Sequence, residues 1–217
     1  MGLFEKKRSV VALSDQALDT IKEELDSVLS VAKSYDQIMV KNGDGILISL
    51  EGRIRGDLLA FTLYLSGVSG NWVSPKEIQT VNRLFDIDLS HVDFEIFYAD
   101  VSNKYYERSV PASILLIKEL GNQIEREARR FEGGAQMDRP NFALAFACDL
   151  INVYALIGSA LISADSTVTE RESADLIRYL YLMNTAVQGG GAPLPSGAAS
   201  RTVEAHVRLF GKAPKLR

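Results

Sequence analysis

The sequence predicts an all-α fold, a single-domain helical bundle containing two related helix-loop-helix hairpins, and three observations lead there. Apolar residues recur at spacings of three and four in separate windows, as the buried stripe of a helix requires. Helix-start chemistry stands at Ser74 and again at Pro111. The segment WVSPKE at 72–77 returns as TVTERE at 167–172, and each copy follows an apolar stretch.

The first helix is read from Leu18, Ile21, Leu25, Val28, Ala32, Tyr35 and Met39, which fall on one face at helical period. That face is expected to pack on the rest of the domain; a short dimerising coiled coil, and so a homodimer, is the second reading of the same stripe. The following KNGDGILISLEGRIRG combines turn residues at Asn42, Gly43 and Gly45 with a β-branched run, so a loop or small hairpin is expected there. Arg55, Gly56 and Asp57 spell an adhesion tripeptide, which is set aside as a chance match in a chain whose opening does not read as a signal peptide.

Ser74, Pro75, Lys76 and Glu77 form a capping box with proline in the first turn, so a helix starts there. A shorter version, Ser90 to Asp93, predicts another start. Pro111 opens an amphipathic helix carrying Ile114, Ile117, Ile124, Ala128 and Phe131. Residues 141–162 are apolar on nearly all sides and long enough to raise the question of a membrane span; Asp149 and Asn152 argue instead for a central helix inside a bundle. The tail from GGGAPLPSGAAS reads as a flexible linker before one short basic helix outside the core. The expected division is an N-terminal helix and loop extension (1–50), the helical domain (51–188), and the linker with its short helix (189–217).

Composition narrows the function classes. The 217 residues are 47% apolar and 24% charged, with a mean hydropathy of +0.02, as in ordinary globular chains. The net charge of −4 is spread over interspersed acids and bases, which disfavours nucleic acid as a partner. A single cysteine, Cys148, cannot form an internal disulfide and is expected to be a small buried hydrophobe, so a cytoplasmic location is expected. Neither a zinc motif, a Walker loop nor a dinucleotide fingerprint occurs, and the only histidines are His91 and His206, so no enzyme is expected.

The repeat continues past its motif, with Val81 falling on Leu176 and Phe85 on Leu180 in one register. Asp165, Ser166, Thr167, Val168, Thr169, Glu170, Arg171 and Glu172 resemble the Asp-Gly-x-(Ile/Val)-(Ser/Thr)-x-x-Glu pattern of the tellurite-resistance TerB-like domains, with Ser166 in place of glycine. The first copy, Gly70 to Glu77, departs twice, with Gly70 for Asp and Asn71 for Gly. The resemblance covers roughly residues 57 to 188.

It implies a non-enzymatic interaction or scaffold protein linked to stress and tellurite resistance. It also implies protein partners, often at membranes, which leaves peripheral membrane association open with no transmembrane segment expected. The alternative it implies is a divalent-metal-responsive module for Ca, Mg or Mn, and the matching residues would be Asp165, Glu172 and Glu77. Local physics gives these carboxylates another role, because an acid in a helix's opening turn satisfies free amides and the helix dipole. Asp149 and Asn152, three apart on the most apolar helix, are expected to form a buried polar pair or to mark a small ligand site. Trp72, in an otherwise polar loop, is expected to tuck against the neighbouring hairpin or to contact a partner.

Overall fold

In a computed structural model, the residues described are 13–41, 49–67, 73–104, 110–120, 142–164, 170–188 and 195–211. Among them every regular element is a helix and there is no strand. In chain order these are α1 (Asp15–Lys41), α2 (Leu50–Gly67), α3 (Pro75–Phe85), α4 (His91–Lys104), α5 (112–120), α6 (Phe142–Ile162), α7 (Glu170–Gln188) and α8 (Pro195–Phe210).

Helix α1 starts where Ser14 caps it, its hydroxyl accepting the Ala17 N–H at 3.1 Å. Leu18, Ile21, Leu25, Val28 and Ala32 are buried along one face, as their spacing predicts, and Tyr35 packs against the core edge by stacking on Phe146. Helix α2 departs from expectation. The segment expected as a loop or hairpin is helical from Leu50 onward, taking in Gly52 and Gly56. The reason lies in its capping. Ser49 accepts the Gly52 N–H at 3.0 Å, and Asp36, reaching across from α1, accepts the Leu50 and Glu51 N–H groups at 2.7 and 3.1 Å. Three orphan amide donors are thereby satisfied, enough to start a helix in a run of poor formers.

Helix α6 is the axis of the fold. It packs against α1, α2, α3, α7 and α8, and residues 153–162 are buried on every side. It is the one described helix long and apolar enough to cross a membrane, and 78% of its Leu144–Ile162 stretch is buried inside the bundle, as the core helix of such a bundle is covered. Gly158 sets its approach to α7, because a Cβ added there would stand 2.4 Å from Leu176 Cδ1.

Helix α1, in the segment before residue 51, packs on α2, α3, α6 and α8 through the face its spacing predicts and contributes core residues. The tail from 189, expected as linker and peripheral helix, contains α8, which packs on α1, α6 and α7. Ala198, Thr202, Ala205 and Leu209 recur at helical spacing and are buried, and Pro195 occupies the first helical position, where it suits the backbone. Small side chains make this stripe faint in sequence while letting the helix sit close to α6 and α7.

Candidate functional site

The two expected hairpins are α2–α3 and α6–α7, and each opens its second helix with a buried glutamate. Glu77, third residue of α3, is 4% exposed; Glu172, third residue of α7, is 3% exposed. In the first hairpin the capping box is complete. The Ser74 N–H donates to Glu77 Oε2 at 2.7 Å, and the Glu77 N–H donates to Ser74 Oγ at 3.2 Å. The box as a whole satisfies two amide donors, one through each side chain, and the carboxylate faces the positive end of the helix.

As a metal shell, the expected set is not assembled among the described residues. Asp165 lies outside them, as does Trp72. Glu77 is engaged by its own helix start, and α3 and α7 share no packed face. Hard cations need several converging oxygens. No group of three or more His, Cys, Asp or Glu side chains among the described residues is placed to hold an ion.

The expected buried polar pair on α6 is corrected. Asp149 is exposed, and Asn152 is half-buried. Successive residues turn about 100° around a helix, so two positions three apart straddle the edge of a buried face without both entering it. The partner of Asn152 is Arg201 of α8, whose Nη1 donates to Asn152 Oδ1 and whose Nη2 lies 3.9 Å from Cys148 Sγ. Cys148, expected to be buried, is half-buried at this seam.

Asp57 of the set-aside tripeptide is buried and turned inward, where it accepts the Ser113 N–H at 2.7 Å and caps α5 from α2. Its role is structural. Between the hairpins, Phe61 meets Tyr154 and Tyr179 edge-on, with centroids 5.0 and 5.7 Å apart. Tyr64 tilts against Tyr179 at 5.3 Å, and Arg178 donates to the Tyr64 hydroxyl at 3.3 Å while its guanidinium lies 5.5 Å from the Tyr179 ring centroid. These contacts lock α2, α6 and α7 together.

A different surface was not read from the sequence. Helix α4 starts with the Ser90–Asp93 box, in which Ser90 Oγ and N–H donate to Asp93 Oδ2 at 2.6 and 3.0 Å. The Ser90 hydroxyl, followed by its amide, holds the exposed Asp93 carboxyl below the ordinary carboxylate value. Asn82 fastens the turn before it, donating to the Leu89 carbonyl at 3.0 Å and accepting the Leu89 N–H at 2.9 Å. Phe94 is the inward anchor, buried, while Val92, Ile96 and Phe97 are 63%, 61% and 48% exposed. An isolated exposed hydrophobe is ordinary, but here Val92 and Ile96 are i,i+4 neighbours with exposed Ala99 beside them.

No protein-family model matches the chain, and neither the comparison with curated proteins nor that with solved structures finds a match.

Proposed function

We propose that this chain is a non-enzymatic interaction or scaffold protein of TerB-like type, stress-related, which works by presenting a helical surface to a protein partner. The observation that carries the reading is the exposed apolar stripe on α4, where Val92 and Ile96 are the two most exposed large apolar side chains among the described residues. The disposition of the buried acids supports it. Asp57 and Glu77 are engaged by backbone amides at helix starts, a structural use that leaves them poorly suited to acid-base work.

Cross-linking in intact cells that make the chain at its natural level tests the reading. Discrete adducts with one or a few other proteins are expected; their absence from the wild type sinks it. The metal-responsive alternative is separated by thermal unfolding of chelator-treated protein with millimolar calcium, magnesium or manganese. The scaffold reading expects no ion-specific rise, whereas a ligand at 100 times its Kd adds about 2.7 kcal/mol. Such a rise, lost on Asp165→Ala and Glu172→Ala, would replace the scaffold reading with the metal-responsive one.

A further inference from the structure

We infer that the outward face of α4, the stripe of Val92, Ile96 and Ala99 between the carboxylates of Asp93 and Glu95, docks a basic amphipathic helix of a partner protein. The inference rests on the scaffold reading and specifies its surface. At about 100° per residue, Val92, Ile96 and Ala99 fall within a sector of roughly 60° opposite the buried Phe94. Glu95 lies about 70° to one side of the centre of that sector and Asp93 about 90° to the other. The stripe therefore has a carboxylate on each flank, and both acids are exposed.

This arrangement is one half of a coiled-coil-like seam: an apolar ridge to enter a partner's grooves, and flanking charge to choose the partner. Asp93 is held in place by Ser90 and stays ionised at neutral pH. The flanks select against the other occupants. A second copy packed face to face would bring Asp93 and Glu95 against their own like charges. An anionic lipid surface would meet the same repulsion. A helix with lysine or arginine beside its leucine stripe meets attraction on both sides, screened by salt because the pairs are exposed.

The test uses the full chain and two synthetic helical peptides with identical leucine stripes, one flanked by lysine and the other by glutamate. Binding is read by fluorescence anisotropy at low and high salt. The lysine peptide is expected to bind roughly tenfold or more tightly than the glutamate peptide, with the gap narrowing in salt. Ile96→Ser is expected to abolish most of that binding, and Glu95→Lys to weaken it, while both variants melt as the wild type does; Val92→Ser serves as the second apolar variant if Ile96→Ser is misfolded.

Equal binding of the two peptides, or undiminished binding by folded Ile96→Ser, overturns the inference. Self-association of the wild type that Ile96→Ser abolishes overturns it in favour of a second copy. Hetero-adducts that survive Ile96→Ser in cells overturn this surface and leave the scaffold reading standing, whereas their absence from the wild type overturns that reading itself.

Discussion

Each hairpin is followed by a third helix laid against its first, α4 on α2 and α8 on α6, and the outer faces of those two helices differ. On α8, Ser200, Glu204 and Arg208 are exposed with Val207 the one large apolar residue among them, and Arg208 is tied to Glu24 of α1 at 2.5 Å. On α4 Val92, Ile96, Phe97 and Ala99 are exposed beside the carboxylates of Asp93 and Glu95. The same architectural position is finished with a polar surface in one half and an apolar stripe in the other. Covering helices can thus be alike in packing and unlike in what they offer to solvent, and the offer is where function is sought.

The comparison can be broken most severely at the contact that sets the second half. Leu176→Ala is expected to cost about 2–5 kcal/mol in urea unfolding, since Leu176 is fully buried against α6. Gly158→Ala comes next, at about 1–3 kcal/mol, because its methyl would occupy space held by the Leu176 side chain. Shrinking that side chain should restore part of the loss, so Gly158→Ala combined with Leu176→Val is expected to be less destabilised than the sum of the two single changes; strict additivity would show that the contact does not set the spacing.

In the first half the expected effects are smaller. Ser74→Ala removes the acceptor for the Glu77 N–H and is expected to cost about 1 kcal/mol by thermal unfolding, with α3 fraying first in hydrogen exchange. Asp93→Asn is expected to lower the melting temperature slightly at neutral pH. Because the folded state holds the Asp93 carboxyl below its ordinary value, its contribution is full above that value and disappears as pH falls through the lower, folded one. The gap between wild type and variant should therefore close in acid, and a gap that persists there would mean that the box works without the charge.

What could be read from the sequence was whatever a short stretch decides by itself. The α1 stripe, the Ser74 capping box and the all-round apolar character of α6 are local patterns, and the chain folds them as they read. The start of α2 was not legible because one of its caps, Asp36, comes from the preceding helix and outweighs Gly52 and Gly56. Helix α8 was underrated because Ala198, Thr202 and Ala205 give a weak apolar signal for a stripe that is nonetheless buried.

The candidate surface was hidden for a different reason. Helix α4 is apolar on two sides, and periodicity alone cannot say that Phe94 turns inward while Ile96 faces out; only its packing on α2 and α3 decides. The Arg201–Asn152 contact and the Phe61, Tyr154 and Tyr179 cluster likewise join residues far apart in the chain at positions the repeat does not relate.

The cover on α6 comes from both directions along the chain, from α1, α2 and α3 before it and from α7 and α8 after it. During synthesis, then, its apolar stretch leaves the ribosome with only the earlier half of its wrapping to fold against. The helices that complete the wrapping end at Phe210, and at about 5–20 residues per second they follow seconds later. In that interval the faces of α6 that α7 and α8 will cover are without their partners, so the order in which this bundle is made leaves open an apolar surface that its finished form conceals.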